Sequence, residues 1–353
     1  LGYWSTLTRD GCVLLGSRSG FVLVWSHQYR LATSSDVVRA GRHVSRGVPM
    51  VKPWTSLDEQ VSILVQRGLT DAPEYRDLIE RTGYYRLSGF AYPFRSRTST
   101  AADPLERSEN FLPGSSMHNV AQLYQFDENL RCAVWLAARK LEIALRIRVG
   151  HELGRVDPLM HEHLEELWPS GKMAHRAAEF TKKLKNTLNR SKEDFIIHHR
   201  RNYAGHMPVW VLTEALDFGG LVTLFSLAPF EQRSTIADQF ECRADEFESW
   251  LRTMNLLRNI SAHHARLWNK VIIVRPVTKY RKNDDFFADC LADTGKAFTA
   301  LSILAYFLPF AGALHEQHTL KNALREFPAH IPGISPVMMG MPDNWETAPV
   351  WQC

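Results

Sequence analysis

Apolar positions between residues 116 and 153 recur at spacings of three and four. This period places them on one face of an α-helix. The segment contains no proline and a single glycine, Gly150. It therefore predicts one long helix with a continuous apolar face, formed by Val120, Leu123, Phe126, Leu130, Val134, Leu141, Leu145 and Val149.

The same period predicts several shorter helices, over 55–67, 176–190, 209–218, 244–269 and 286–308. The first has a capping signature, with Thr55 or Ser56 before Asp58 and Glu59. The only strong strand-like run is "VIIV" at 271–274. We expect "YYRLSGFAYPF" to be irregular or extended, 96–115 to be a polar loop, and the chain beyond 325 to be mostly irregular. The predicted class is all-α: a helical bundle with additional N-terminal helices and an irregular C-terminal tail.

Charge separates the first 49 residues from the remainder of the chain. They contain six arginines, two aspartates and no lysine, and so carry the whole net charge of +4. The body is then neutral, so the overall basic balance does not argue for nucleic-acid binding. The first methionine is Met50. We interpret 1–49 as a non-native or disordered extension, 50–115 as an N-terminal helical segment, 116–308 as the bundle, and 309–353 as a tail packed on it.

Two features of the sequence indicate where in the cell we expect the protein. Residues 297–314 form an uncharged run that includes Pro309 and Gly312, and we expect a buried helix ending before Pro309 rather than a membrane span. The five cysteines are scattered and form no C-x-x-C pair, which fits a reducing environment without disulfides or a zinc knuckle. The expected location is the bacterial cytoplasm, with no membrane partner.

Two short strings combine Arg-Asn with a following histidine. In "RNISAHHARLWNK" (258–270), helical spacing puts Asn255, Asn259 and His263 on one polar stripe, and turns His264 toward the apolar face. In "RNYAGH" (201–206), Gly205 and Pro208 flank the histidine, so no regular helix holds the string together. We therefore expect the first string to be the site and the second to be solvated surface.

The first string also carries a family resemblance. "LLRNISAHHARLWN" resembles the signature of the Abi-like family of bacterial abortive-infection proteins, of the AbiD and AbiF type. Further blocks follow in the family's order, among them "GYYRLSGFAYPF", "LYQFDENLR" and "MGMPDNW". Such proteins are similar to the HEPN superfamily. The resemblance implies a HEPN-like bundle and a homodimer in which two motifs meet in one cleft. It also implies catalytic Arg258, Asn259 and His263, with His264 and Asn255 as supporting residues.

The implied activity is RNA cleavage without a metal or other cofactor. A histidine can transfer protons near neutral pH, and a guanidinium can stabilise the charge that builds on a phosphate. An alternative is a HEPN-like module that binds RNA without cutting it, restrained by a small non-coding RNA. Arg139, Arg146, Arg148 and Arg266 are weaker candidates for RNA contacts. A metallohydrolase is a third alternative, but none of the histidine pairs has the H-E-x-x-H spacing.

Three further predictions concern structure. We expect Tyr84, Tyr85, Phe90 and Tyr92 to pack in the core rather than to form a base-stacking platform. Arg86 and Glu142 are candidates for a buried ion pair, and Trp268 is expected to pack against the end of the motif helix.

Overall fold

The computed structural model describes residues 52–97, 107–281 and 283–352, and the backbone of three short strands before them. The chain divides into two units, Leu1–Thr55 and Ser56–Cys353. In the first unit, β1 (Trp4–Leu7), β2 (Val13–Ser17) and β3 (Gly20–Val24) pair antiparallel in chain order. The rest of 1–51 lies outside the described residues, so our interpretation of 1–49 stays a prediction.

The second unit begins with three helices, α1 (Leu57–Gln66), α2 (Arg76–Thr82) and α3 (Tyr84–Ala91). The predicted cap of α1 is confirmed: Ser56 and Glu59 form a reciprocal capping box. The expectation of an irregular segment at 84–94 is wrong, because α3 forms there despite Gly89. Part of the expected polar loop also pairs as a two-stranded sheet, β4 (Arg95–Arg97) with β5 (Arg107–Phe111).

The centre of this unit is α4, which runs from Met117 to Val156 and confirms the predicted long helix. Its 40 residues span about 60 Å at 1.5 Å per residue. All the predicted apolar positions on it are buried. Near its end, a Cβ at Gly150 would lie 2.8 Å from the Trp210 Cα, and one at Gly154 would lie 2.5 Å from the Trp210 ring. These glycines let the helix that carries Trp210 lie directly against α4.

The remaining helices are α5 (Leu164–Leu167), α6 (Gly171–Arg190), α7 (Asp194–Asn202), α8 (Val209–Ala215), α9 (Phe218–Leu227), α10 (Phe230–Asp238), α11 (Ala244–Ala262), α12 (Ala297–Phe310) and α13 (Leu314–Arg325). Elements α3, α8, α9, α10, α11, α12 and α13 all contact α4. The all-α class is therefore confirmed, with short 3-10 turns dominating the chain beyond α13.

Helix α12 confirms a buried helix in the uncharged run, since residues Ala297–Leu308 are all buried. The expectation that it ends before Pro309 is wrong: Pro309 keeps helical geometry and the helix ends one residue later. Within the described part of the chain, no helix is long and apolar enough to cross a membrane. The "VIIV" run makes only an isolated bridge, between Val271 and Lys296, and is not a strand.

Candidate active site

Helix α11 places the Arg-Asn…His string between the core and the surface. Its predicted apolar face is confirmed, because Phe247, Trp250, Leu251, Met254, Leu257 and Ile260 are all buried. On the predicted polar stripe, Asn255 and Asn259 are half-buried, as is Arg258 at its boundary, and His263 is exposed. Side chains in such a position have restricted rotamers and can still reach a ligand.

The end of α11 differs from the predicted one. The helix stops at Ala262, not near residue 269, and His263 is its C-cap. The N–H of His264 donates to the Ser261 carbonyl and that of Ala265 to the Ile260 carbonyl, which is the Schellman pattern of helix termination. His264 takes the left-handed position with φ of 56°, where glycine is usual. It therefore does not turn into the apolar face as expected: both histidines are exposed.

Arg258 is held by a carboxylate that the sequence pattern did not assign to the site. Its Nε lies 3.7 Å from Glu142 Oε2, and its Nη1 donates to Asn259 Oδ1 at 3.4 Å. Glu142 is 8% exposed and also pairs with Arg146 at 2.6 Å. The signal was present in the sequence: Glu142 follows Leu141 in the buried register of α4, where a lone carboxylate requires partners.

Further contacts join this cluster to the start of α9. Arg146 donates to the Leu216 carbonyl at 2.8 Å and lies 3.4 Å from Glu214. A Cβ at Gly219 would lie 3.3 Å from the Asn255 amide nitrogen, so Asn255 packs directly against the backbone of α9. Helices α4, α9 and α11 thus converge at the polar stripe of the motif.

The segment that follows the motif is fixed by residues distant in sequence. Arg86, on α3, donates to the His264 carbonyl, and Arg266 donates to the Gly89 carbonyl, so α3 and the motif hold each other. The predicted Arg86–Glu142 ion pair is therefore wrong.

On the α4 side, Asp127 accepts the backbone N–H groups of Leu267 and Trp268. Asp127 also pairs with Arg131 at 2.9 Å, and both side chains are buried. Burial raises the pKa of Asp127, and these donors oppose that rise. Trp268 is fully buried, as expected for packing against the end of α11.

The four arginines proposed for RNA contacts do not form one surface stripe. Arg146 is engaged as above, Arg148 donates to the Phe310 carbonyl at 2.6 Å, and Arg266 donates to Gly89. Arg139 is exposed, with its guanidinium carbon 5.3 Å from the centre of the Trp135 ring. Three of the four thus use donors within the protein.

The aromatic residues in and just after α3 also differ in part from the prediction. Phe90 is buried and Tyr84 half-buried, but Tyr85 is 90% exposed and Tyr92 is 42% exposed. Core packing is therefore wrong for the last two. The guanidinium carbons of Arg95 and Arg107 lie 5.9 and 5.5 Å from the Tyr92 ring centre.

The second Arg-Asn…His string is split, as predicted. Arg201 and Asn202 end α7, whereas His206 lies beyond a turn in which Ala204 and Gly205 have positive φ.

Among the described residues, no group of three or more His, Cys, Asp or Glu side chains is placed to hold a metal ion.

Substitution by glycine should change the stability of the protein in opposite directions at His264 and at His263. We expect His264→Gly to leave the fold intact and to stabilise it by about 0.5–1 kcal/mol, because glycine has no penalty at positive φ. Urea unfolding measures this change. The matched variant His263→Gly, at a residue with ordinary φ, should instead lose stability. A loss of the same size in both variants would contradict the left-handed backbone conformation of His264.

Comparisons with known proteins agree with the resemblance. The family described as Abi-like protein matches residues 77–269, which is more than half of the chain and runs from α2 through the motif. Comparisons with curated proteins and with solved structures found no match. The chain belongs to the Abi-like protein family, and this membership points to a function in abortive infection.

Proposed function

We propose that this protein is a metal-independent endoribonuclease that acts as an abortive-infection effector, with a HEPN-like site. One observation carries the proposal. The Arg258 guanidinium is held by the buried Glu142, and an exposed histidine, His263, ends the same helix five residues later. The held guanidinium of Arg258 can stabilise charge on a phosphodiester, and the exposed imidazole of His263 can transfer protons.

The reaction uses the substrate's own ribose as nucleophile. The 2′-oxygen loses its proton and attacks the adjacent phosphorus, the bond to the 5′-oxygen breaks, and that oxygen takes up a proton. The products are a 2′,3′-cyclic phosphate and a 5′-hydroxyl end. His263 serves proton transfer, and Arg258 stabilises the phosphate oxygens as charge builds. Asn259 accepts from Arg258, which supports a role in orienting the guanidinium rather than the histidine.

A second copy of the chain is the partner that we propose for this site. Helix α4 exposes Trp135, Ile143 and Ile147 at helical spacing, with exposures of 42, 48 and 62%. The exposed Arg139 lies in the same row, over the Trp135 ring, and would be buried with this largely apolar face. A groove of about 490 Å³ lined by Trp135, Leu136 and His264 joins that apolar face to the motif. Burying the face against a copy of itself would bring two motifs together, since an isologous interface repeats the same patch on both subunits.

Charge at this apolar face should therefore prevent dimerisation. We expect Ile147→Glu to give a monomer, because burial of the apolar side chain is replaced by burial of an unpaired charge. Sedimentation equilibrium on the wild type and the variant measures the mass. The control is Val337→Glu, at a 65% exposed position outside α4, which should keep the wild-type mass. A monomeric wild type would contradict the dimer.

The exposed tyrosines extend the proposed site toward single-stranded RNA. Arg86 ties α3 to the motif, so Tyr85 is carried on an element that contacts the site directly. Stacking of a base on an aromatic ring is worth about 1–3 kcal/mol. We expect Tyr85→Ala to weaken RNA binding by about tenfold, measured by fluorescence anisotropy, with Tyr85→Phe near wild type. Equal losses in both variants would contradict stacking.

A second candidate is an RNA-binding module without turnover, held in check by a small non-coding RNA. The observation that favours it is the shared carboxylate: Arg146 and Arg258 both contact Glu142, so the charge at the motif is partly neutralised. Such a cluster can bind phosphate without catalysing a reaction.

One experiment distinguishes the two candidates. Purified protein is incubated with total RNA in excess EDTA, and the termini of the products are mapped. Cyclic phosphate and 5′-hydroxyl ends are expected. Intact RNA that remains bound at low salt and dissociates at high salt supports the module instead. Cleavage that stops in EDTA and returns with a divalent metal overturns the metal-independent route.

A further inference from the structure

A second cavity lies among α5, α6, α7 and the loop before α8. Its volume is about 560 Å³, within the range of about 300–1,000 Å³ found for small-molecule sites. None of its lining residues belongs to the 258–264 motif. Its chemistry is therefore separate from RNA cleavage.

A buried histidine contributes to the wall of this cavity. His161 is 4% exposed, and its Nδ1 has no hydrogen-bond partner. Burial lowers the pKa of His161, which favours the neutral imidazole. A buried polar atom without a hydrogen-bond partner destabilises the fold. A ligand that supplies a hydrogen bond to this nitrogen would remove that destabilisation.

A second histidine is oriented by a carboxylate at the cavity edge. His206 Nδ1 lies 3.0 and 3.2 Å from the two oxygens of Glu162. One of these oxygens is also 3.8 Å from His161 Nε2. Because Nδ1 faces Glu162, Nε2 of His206 is left for a ligand. The chain turns at Ala204 and Gly205, with φ of 52° and 88°, and this turn places His206 in the cavity lining.

The cavity combines a cationic rim with an apolar floor. Lys185 and Arg200 are exposed at the rim, and Arg200 uses one Nη atom to donate to the Leu188 carbonyl at 2.8 Å. The floor contains Leu184, Ile196 and Met207, all buried. Glu165 lies exposed on the rim as well.

We propose that this cavity binds a nucleoside monophosphate. Lys185, Arg200 and His206 Nε2 hold the phosphate, since charge-assisted hydrogen bonds to phosphate are strong. The flat ring packs on the apolar floor and bonds His161 Nδ1. The Glu165 carboxylate accepts from the ribose hydroxyls, as acidic residues do in other nucleotide sites. The site is independent of the proposed ribonuclease activity.

Calorimetric titration with AMP, GMP, CMP and UMP tests the proposal, with adenosine and inorganic phosphate as partial ligands. At least one nucleotide should bind, and more tightly than either partial ligand. The double variant Lys185→Ala/Arg200→Ala should weaken that binding by at least about tenfold, the value of one charge-assisted bond. His161→Phe should do the same, provided that its thermal melt matches the wild type.

Two control variants show whether the nucleotide binds in this cavity. Lys182→Ala removes an exposed cation from the same helix outside the cavity lining and should leave binding unchanged. Arg258→Ala/His263→Ala should also bind as wild type, whether or not the protein cleaves RNA. No heat with any nucleotide at millimolar concentration overturns the proposal. Wild-type affinity for the nucleotide in Lys185→Ala/Arg200→Ala also overturns it. If inorganic phosphate binds as tightly as the nucleotide, the cavity is only an anion site, and this result overturns the proposal as well.

Discussion

Arg258→Ala should lower the rate of RNA cleavage by about a hundred- to a thousandfold, the usual loss when one group that stabilises transition-state charge is removed. His263→Ala should cost about a hundred- to ten-thousandfold, since it removes a proton-transfer group. The loss in the double variant should be well below the product of the single losses, because the two groups act on the same transition state. Single-turnover cleavage of a labelled RNA measures all three.

A nearby arginine on the same helix is the control for this prediction. Arg252 is half-exposed on α11 and pairs with Glu248 at 2.5 Å, six residues before Arg258. Arg252→Ala changes the net charge of the protein equally but should retain the wild-type rate. If Arg258→Ala cleaves as fast as Arg252→Ala, the motif does not perform the reaction.

Glu142 can be tested in the same cleavage assay. Glu142→Gln keeps the size of the side chain and removes the charge that holds Arg258 and Arg146. If Glu142 positions the guanidinium, the variant should cleave more slowly while its affinity for RNA is unchanged. A stronger affinity with an unaltered rate would indicate that Glu142 only neutralises charge.

Asp127→Ala should lower the free energy of unfolding by about 3–5 kcal/mol, because it leaves the buried Arg131 without its buried carboxylate partner. It also leaves the N–H groups of Leu267 and Trp268 without an acceptor. Such a loss is a large part of the roughly 5–15 kcal/mol that stabilises a typical protein. Urea unfolding followed by circular dichroism measures it.

The adjacent residue is a matched control for that prediction. Glu128 also contacts Arg131, at 2.6 Å, but its side chain is 35% exposed. Glu128→Ala should cost less than about 1 kcal/mol, because this carboxylate remains in contact with water and Arg131 keeps Asp127 as its buried partner. Equal losses at the two positions would show that the buried carboxylate has no special part in holding the segment after the motif.

Local sequence pattern was sufficient for most of the helices and for one face of the site. The period of three and four identified α4 and the buried face of α11, because helical side chains repeat on one side every turn. It missed the end of α11, since the left-handed position that terminates the helix is filled by His264 rather than by glycine. The sequence therefore has no glycine at the position where the helix ends, and its pattern does not indicate the end.

Contacts between distant segments were the part that could not be predicted. Charge alone makes Arg86 and Glu142 candidates for an ion pair, whereas the acceptor of Arg86 is a backbone carbonyl, which every residue carries. Aromatic side chains usually pack in the core, and this predicts a buried Tyr85, yet α3 exposes it. Both errors concern the direction in which a side chain points after packing, and this depends on neighbours far along the chain.

The reciprocal bonds between α3 and the segment after the motif have a consequence for synthesis of the protein. Arg86 and His264 are 178 residues apart, so the first must wait for the second to leave the ribosome. Domains fold as the chain emerges, at about 5–20 residues per second. A truncated product that stops within α11 lacks both histidines and leaves Arg86 without its acceptor. For a protein whose proposed activity harms the cell that makes it, unfinished chains would be harmless.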